Sequence, residues 1–319
     1  MTRLLWLKAA RENDDPTRKK LSEKTIDFYQ KKSKRLVAVL GAETLLSEIG
    51  HEEIRRYILA RSKTVKGTSI GKELTALSMA MRLARKDGVD CPIFKDIVPE
   101  DFQAIYVPRK RWLTEAEVDA LISVLPAKRG AVVAFIVATS ASYPSEVSPV
   151  RPEHVNGFEV HIPGTKRAGR DRHLKVPSYA RRFFSLAVKH LGPSGFEPWT
   201  NVRGDLHAAA RLLSLCASCR ACRPEWARRQ QAGPKPVRGA CRACEKVKPF
   251  EPLSPNDLRR TFAQWLVRSG VPHELTYPMM GHNSPRMLEQ VYGKRDAGAV
   301  SDLVELALKK APKGARRVG

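Results

Sequence analysis

The stretch from Ser254 to Tyr292, SPNDLRRTFAQWLVRSGVPHELTYPMMGHNSPRMLEQVY, decides how this chain is interpreted. Its first residues predict the start of a helix, because Ser254 suits the N-cap and Pro255 suits the first helical position. Arg259 follows on that helix, and His282 precedes Tyr292 by ten residues. A cation, a neutral hydrogen-bond donor and a hydroxyl nucleophile are the groups needed to attack a phosphodiester without a metal ion.

The composition points to a polyanionic partner. The 319 residues include 57 Lys and Arg against 33 Asp and Glu, which gives a net charge of +24. A folded chain this basic commonly binds nucleic acid, although a solvated basic surface is the alternative. Hydrophobic residues make up 42% of the chain, enough for ordinary cores, and the length suggests about two domains.

Membrane and secretory classes find no support in the sequence. Its first fifteen residues are too short and too charged for a signal peptide. The longest apolar run, residues 130–141, is too short to span a bilayer. We therefore expect an intracellular, cytoplasmic protein without a membrane partner.

Residues 1–20 carry charge but no apolar periodicity, and they predict an N-terminal arm. Residues 21–105 predict a helical, DNA-binding domain, with Ser22 as an N-cap and an apolar helical stripe over residues 70–84. Cationic side chains lie between the stripes and could grip phosphates or could simply be solvated. They are Lys31, Lys32, Lys34, Arg35, Arg55, Arg56, Arg61, Lys63 and Lys66.

A basic linker over residues 106–113 leads to a second domain, predicted at 114–295. Thr114 and Glu117 form a capping-box pattern, and residues 131–138 predict a buried helix. Alternating apolar residues over 158–162 and 174–176 predict a β-hairpin. The polar loop between these strands carries Lys166. A last short helix and a basic tail are expected over residues 296–319.

A cysteine-rich insert at residues 216–244 interrupts the second domain. Two CxxC pairs, Cys219 with Cys222 and Cys241 with Cys244, are separated by 18 residues. Two such pairs supply four thiolates to a tetrahedral zinc ion and leave no position for a reactive water, so the predicted zinc is structural. Cys216 lies three residues before Cys219 and is an alternative ligand.

With these elements placed, the chain resembles the tyrosine recombinase family, also called the phage integrase family. The most specific matches are DLRRTFA at residues 257–263 and MGHNSP at residues 280–285, followed by Tyr292. The resemblance covers nearly the whole chain. It implies a mainly α fold with a small antiparallel β-sheet, in which a helical core-binding domain precedes an α+β catalytic domain.

The resemblance also implies the chemistry. Tyr292 would attack the scissile phosphate and form a 3′-phosphotyrosyl bond, and Lys166 would protonate the departing 5′-oxygen. Arg259 would hold the non-bridging oxygens, and His282 would donate to the phosphate or assist proton transfer. Because the phosphotyrosine conserves the phosphodiester energy, catalysis would need no metal ion or other cofactor.

Two positions depart from the family pattern. Ser145-Glu146 resembles the end of the family's first arginine box, where Glu146 would support the pocket, but Tyr143 stands where the arginine is expected. Asn256 stands where the second box usually has a histidine, and its amide can still donate a hydrogen bond. The arginines that could replace the missing one are Arg151, Arg167 and Arg170.

The sequence therefore predicts a site-specific recombinase or integrase that acts on double-stranded DNA, with dimers and tetramers assembling on the DNA. The second hypothesis is a catalytically impaired descendant that only binds DNA or regulates an active partner, and Tyr143 favours it. A third, a zinc-ribbon transcription factor, explains the cysteines alone.

Overall fold

The structure is a computed structural model that describes residues 22–105, 109, 111–164, 168–214, 250–282 and 284. The chain divides into two units, Met1–Val107 and Pro108–Gly319, called here the N-terminal and C-terminal units. Several predicted features lie outside the described residues: the N-terminal arm, Lys166, the cysteine insert, Tyr292 and the C-terminal helix and tail. Among the described helices, none has the length and apolar character needed to cross a membrane.

The N-terminal unit is helical, as predicted. Its helices are α1 (Glu23–Leu40), α2 (His51–Ser62), α3 (Gly67–Lys86) and the short α4 (Phe94–Ile97). Ser22 caps α1 by accepting a hydrogen bond from the Thr25 amide at 3.3 Å. The stripe over residues 70–84 faces the core of this unit.

A buried carboxylate lies inside the N-terminal unit. Glu73 on α3 is 2% exposed. Arg61 donates to both of its oxygens, at 2.9 and 3.0 Å, and the Tyr57 hydroxyl donates at 2.7 Å. Lys32 lies 3.7 Å from Glu73 Oε1. Arg61 and Lys32, two members of the predicted cationic set, thus pair with a carboxylate of their own unit.

The C-terminal unit is built around a buried helix. Its first helices are α5 (Glu115–Val124) and α6 (Ala127–Thr139), followed by α7 (Arg181–Val188) and α8 (Val202–Leu213). Thr114 caps α5 through the predicted capping box. Residues 130–139 of α6 are all buried, because α5, α7 and a later helix, Pro255–Arg268, pack around this helix.

The antiparallel sheet among the described residues has the strand order β1 (Val155–Asn156), β2 (Glu159–Ile162) and β3 (Arg172–Lys175). The predicted hairpin corresponds to β2 and β3, with Val160 opposite Leu174. The short strand β1 adds an edge that the sequence patterns did not predict.

The last described helices are α9 (Pro255–Arg268) and α10 (His273–Met279). Ser254 and Pro255 begin α9 as predicted, and the Ser254 amide donates to Asp257 Oδ2 at 2.8 Å. Helix α9 is fastened to the start of the unit, since the Trp265 indole donates to the Leu113 carbonyl at 2.9 Å. The N-terminal half of α9 meets the end of α6, where the Arg259 guanidinium donates to the Ser140 carbonyl.

Candidate active site

A tight turn after α6 forms the floor of the site. Ser140 ends α6 in the left-handed conformation, with φ 58°, a strained geometry for a residue other than glycine. The chain then turns so that the Ser142 amide donates to Glu146 Oε2 at 3.0 Å. Glu146 is 2% exposed, so its carboxylate is held inside the protein and requires positive partners.

Three arginines meet this one carboxylate. Arg170 Nη1 lies 2.5 Å from Glu146 Oε1, and Arg172 Nη1 and Arg259 Nη1 lie 3.2 and 3.4 Å from Oε2. Burial alone would raise the pKa of Glu146, but Arg259, Arg172 and the other donors lower it, so the carboxylate is charged. Three positive charges and one negative charge leave a surplus of two positive charges, and such a site attracts an anion.

Arg259 reaches the site from α9. Its Nη1 donates to the Ser140 carbonyl at 2.6 Å and to Ser142 Oγ at 2.9 Å, and its Nη2 donates to the Met280 carbonyl. Burial lowers the pKa of Arg259 to about 9, partly offset by Glu146. The guanidinium therefore keeps its charge at neutral pH.

Arg172 on β3 forms four hydrogen bonds, as Arg259 does. Its Nε donates to the Met279 carbonyl at 2.9 Å, and its Nη1 donates to the Arg170 carbonyl at 3.1 Å as well as to Glu146. Burial lowers the pKa of Arg172, and Glu146 opposes this shift. The motifs of the sequence do not single out this residue. Arg172 lies two positions before the inward-facing Leu174, and this period of two was the signal that could have identified it.

Arg170 lies at the end of the short turn Ala168–Arg170 that precedes β3. Besides Glu146, its Nη1 contacts Ser142 Oγ at 3.0 Å, and its side chain is 25% exposed. Within the described part of the chain, its Nε and Nη2 form no hydrogen bond. Arg170 was one of the three candidate replacements, and the structure brings it to the pocket. Arg151 instead donates to the carbonyls of Ser148 and Val150, and Arg167 lies outside the described residues.

Gly281 allows residues 169–172 to approach the end of α10, and Gly164 allows close packing against Arg170. Gly281 has φ +66°, and a Cβ there would lie 2.7 Å from the Gly169 carbonyl oxygen and 2.8 Å from Arg172 Nη1. A Cβ on Gly164 would lie 2.4 Å from the Arg170 backbone. A larger side chain at either position would push the arginine-bearing loop away from the site.

His282 follows directly after this close approach. Its Nδ1 is buried and has no hydrogen-bond partner among the described residues. Burial and the nearby charges of Arg259, Arg170 and Arg172 lower the pKa of His282 to about 4. The imidazole is therefore neutral at pH 7, and a neutral imidazole can donate one hydrogen bond to an incoming oxygen.

Tyr143 points away from this cluster. Its hydroxyl donates to the Trp199 carbonyl at 2.8 Å and accepts from the Trp199 amide at 2.7 Å. Its ring also meets the Trp199 ring edge-on, with centroids 6.3 Å apart. Tyr143 lies only three residues before Glu146 in the sequence, but its hydroxyl is hydrogen-bonded to Trp199 in the loop after α7.

The predicted site residues fall into three groups. Glu146, Arg259 and His282 come together in one pocket of the C-terminal unit. Asn256 is exposed and forms no hydrogen bond within the described part of the chain. Lys166, Tyr292 and the cysteine ligands Cys219, Cys222, Cys241 and Cys244, with the alternative Cys216, lie outside the described residues. Among the described residues, no group of His, Cys, Asp or Glu could hold a metal ion.

The fold that carries this site is similar to the fold of solved integrases. The chain is similar to the integrase of transposon Tn1549 in complex with a circular intermediate DNA, with 14% identity and a TM-score of 0.62 over 96% of this chain and 99% of that one. It is also similar to a lambda integrase dimer bound to a COC′ core site, with 15% identity and a TM-score of 0.60 over 93% and 95% of the two chains. At these identities the likeness concerns the fold.

The sequence gives a second, independent match. Residues 221–298 match the phage integrase family. No curated protein sequence matches the chain. The chain thus combines a fold like that of solved integrases with a phage integrase match over residues 221–298, and the resemblance read from residues 257–263 and 280–285 is confirmed.

Proposed function

We propose that the protein is a site-specific DNA recombinase or integrase that cuts and rejoins DNA through a 3′-phosphotyrosyl intermediate. The observation that carries the proposal is the pocket in which three guanidinium groups surround the buried carboxylate of Glu146 beside the neutral imidazole of His282. This arrangement has a positive surplus and, among the described residues, a buried polar nitrogen without a partner, which suit a phosphodiester anion. The solved integrases with this fold are bound to DNA.

In the proposed reaction, Arg259 binds a non-bridging oxygen and stabilises the additional charge of the pentavalent phosphorus. The Tyr292 hydroxyl gives up its proton to solvent, assisted by the neutral imidazole of His282, and attacks the phosphorus, so that the bond to the 5′-oxygen breaks as the phosphotyrosyl bond forms. Lys166 supplies the proton that the departing 5′-oxygen takes up. His282, being neutral, donates a hydrogen bond to the phosphate, and Asn256 is the remaining candidate donor. Rejoining reverses these steps and needs no cofactor.

Glu146 has a positioning role in this proposal. Its carboxylate fixes the guanidinium groups of Arg259 and Arg170 through Nη1 of each. A fixed guanidinium needs no reorganisation when charge develops on the phosphate, and this preorganisation is where electrostatic catalysis gains most.

A second candidate function is DNA binding with impaired catalysis. It is favoured by Tyr143, which we place at the position of the family's first arginine and whose hydroxyl bonds to Trp199. A protein of this kind would bind the same DNA and depend on an active partner for strand cleavage.

A covalent adduct separates the two functions. The full chain would select its binding site from a random pool of duplexes, and the selected duplex would then be nicked near each phosphate in turn to trap cleavage. We expect the wild type to form a covalent adduct that Tyr292→Phe abolishes and that the surface variant Arg182→Gln retains. Binding without any adduct, together with an adduct after Tyr143→Arg, would establish the impaired protein instead.

We also propose that assembly on DNA proceeds through dimers to tetramers and takes place inside the cell, where the DNA is. Lambda integrase, which shares this fold, has been solved as a tetramer bound to a Holliday junction. Sedimentation of the full chain with the selected duplex should show two chains per site, and a single chain per site at saturation would contradict the proposal.

For the insert we propose a structural zinc ion held by Cys219, Cys222, Cys241 and Cys244. The support is the spacing of the two CxxC pairs, which is typical of zinc ribbons. Metal analysis of the purified full chain should give about one zinc per chain, as expected for a four-cysteine site. Cys222→Ser should lose the metal, whereas Cys91→Ser, which alters a cysteine of the N-terminal unit, should keep it. Loss in Cys216→Ser in place of Cys219→Ser would assign the alternative ligand.

A further inference from the structure

Tyr143 leaves the proposed phosphate site one arginine short. The tyrosine hydroxyl has both a donor and an acceptor partner on the Trp199 backbone, so it is already satisfied. If the recombinase chemistry proposed above is correct, a second guanidinium has to reach the phosphate from another part of the chain.

Arg170 is held by the same two groups as Arg259. Ser142 Oγ lies 2.9 Å from Arg259 Nη1 and 3.0 Å from Arg170 Nη1, so one hydroxyl bridges the two guanidinium groups. The two oxygens of Glu146 are divided between them, with Oε1 facing Arg170 and Oε2 facing Arg259. Arg170 and Arg259 are therefore neighbours, like a pair that could hold two oxygens of one phosphate.

Arg170 also has donors to spare. Its Nε and Nη2 form no hydrogen bond within the described part of the chain, and a quarter of its side chain is exposed. Arg172 differs in both respects, because its Nε and both Nη atoms contact carbonyl or carboxylate oxygens and its side chain is only 8% exposed. Of the two hairpin arginines, Arg170 can bind a ligand without giving up its existing bonds.

Arg170 is closely packed against two glycines. A Cβ on Gly164 would lie within 2.5 Å of three Arg170 atoms, and a Cβ on Gly281 would lie 3.2 Å from Arg170 Cδ. A guanidinium held this closely loses little additional entropy on binding an anion, which favours a preorganised phosphate contact.

Neutralising Glu146 does not by itself explain Arg170. The Glu146 carboxylate already has Arg172 and Arg259 as cationic partners and the Ser142 amide as a donor. A third guanidinium adds positive charge that folding alone does not require and that lowers the pKa of His282 further. An anionic ligand would offset this surplus.

We propose that Arg170 binds a non-bridging oxygen of the scissile phosphate beside Arg259 and replaces the arginine absent at position 143. This inference rests on the proposed recombinase function. The hairpin thus supplies the site with two functional side chains, the proposed acid Lys166 and the phosphate-binding Arg170.

Neutral phosphate analogues test the contact. In a methylphosphonate linkage, a methyl group replaces one charged non-bridging oxygen. An arginine that binds and neutralises that oxygen is therefore no longer needed. Both diastereomers would be placed at the cleaved phosphate of the selected duplex. We expect Arg170→Gln to lower the rate of adduct formation about 10²- to 10³-fold on the natural phosphate. On one methylphosphonate diastereomer the loss should shrink to a few-fold, and Arg170→Lys should recover part of the rate on the natural phosphate.

A purely structural role would give a different pattern. Arg172→Gln, which removes a guanidinium bonded to backbone carbonyls, should lose similar activity on phosphate and on methylphosphonate. Arg182 is a surface arginine that donates to Asp119 and Glu115 and contacts none of the residues of the Glu146 cluster among the described residues. Arg182→Gln should therefore match the wild type on both substrates. An equal loss of Arg170→Gln on both substrates, or a larger loss in Arg151→Gln, would overturn the inference.

A binding measurement keeps the inference separate from the proposed function. Single methylphosphonates would be scanned through the selected duplex under conditions without cleavage. One position should weaken wild-type binding but leave the affinity of Arg170→Gln unchanged. If that position exists and no adduct ever forms, Arg170 binds phosphate and the recombinase function fails. If an adduct forms and no such position exists, the recombinase stands and the role of Arg170 is wrong.

Discussion

Each unit of the protein buries one glutamate among cations, and the two clusters are balanced differently. Glu73 in the N-terminal unit meets Arg61 through two hydrogen bonds, with the Tyr57 hydroxyl completing the set and Lys32 at the edge. Glu146 in the C-terminal unit meets three guanidinium groups. Both carboxylates are 2% exposed, so burial does not distinguish them.

The difference lies in what is left unsatisfied. Around Glu73, the fork of Arg61 matches the two carboxylate oxygens, as in a structural ion pair. The cations exceed the carboxylate by one charge around Glu73 and by two charges around Glu146. Among the described residues, Arg170 also has free donors beside Glu146, and His282 Nδ1 is buried without a partner. The Arg61–Glu73 ion pair needs no ligand. The anionic ligand proposed for the Glu146 cluster would offset its surplus of positive charge.

The largest expected effect separates the two clusters by chemistry. Arg259→Gln should lower the rate of adduct formation at least about 10³-fold, because it removes a buried charge from the proposed transition state. Glu73→Gln should leave that rate within a few-fold at a temperature where the N-terminal unit is folded. Single-turnover rates with the nicked duplex would measure both. A small effect of Arg259→Gln would remove the distinction between the clusters.

The next effect separates them by stability. Breaking a buried ion pair by removing one partner typically costs about 3–5 kcal/mol, and we expect a loss of this size in both Glu73→Gln and Glu146→Gln. Sulfate or phosphate should restore stability to Glu146→Gln, since the anion can take the place of the carboxylate among three guanidinium groups.

Thermal melts in sodium chloride and in sodium sulfate at equal ionic strength would measure this rescue. Glu73→Gln is the matched control and should respond to sulfate no more than the wild type does. Equal rescue of both variants would mean that the anion acts generally on solvation and not at the Glu146 cluster.

His282 offers a smaller, pH-dependent effect. Its pKa is lowered to about 4 from an ordinary 6.5, so the unfolded chain binds a proton more readily than the folded one. The stability contributed by the neutral imidazole is therefore complete above pH 6.5 and is lost as the pH falls towards 4. Linkage gives a loss of up to about 2 kcal/mol at pH 5, where glutamates such as Glu146 are still mostly charged in both states.

Urea unfolding at pH 7.5 and pH 5 would detect this loss in the wild type, and His282→Gln should show less of it. Imidazole NMR should place the titration of His282 near pH 4. In Arg170→Gln the titration should move to higher pH, because one of the repelling charges is gone. A titration near 6.5 in the wild type would mean that the pocket lacks the positive surplus.

The smallest effect on adduct formation concerns Tyr143. Tyr143→Phe removes a hydroxyl with two hydrogen bonds to the Trp199 backbone and should cost about 1–3 kcal/mol of stability, since the Trp199 groups lose their partner. Adduct formation should stay near the wild-type rate at a temperature where both proteins are folded. A large loss of adduct with unchanged stability would place Tyr143 in the chemistry after all.

Local signals were enough to predict much of the fold. The caps at Ser22, Thr114 and Ser254, the buried stretch 131–138 and the alternation of the hairpin each depend on neighbours in sequence, and the structure confirms them. The arginine cluster could not be predicted in the same way. Arg170 and Arg172 meet Glu146 across 24 and 26 residues, and only the folded hairpin brings them together. The orientation of Tyr143 likewise depends on Trp199, 56 residues later.

Hydrogen bonds from two arginines fix the position of the backbone at the end of α10. The Met279 carbonyl is held by Arg172 and the Met280 carbonyl by Arg259, so the backbone just before His282 is tied to the same guanidinium groups that surround Glu146. Tyr292 lies ten residues after His282 in the sequence. Ten residues span at most about 36 Å if fully extended and about 15 Å if helical. These lengths therefore limit how far the proposed nucleophile can lie from the proposed phosphate site.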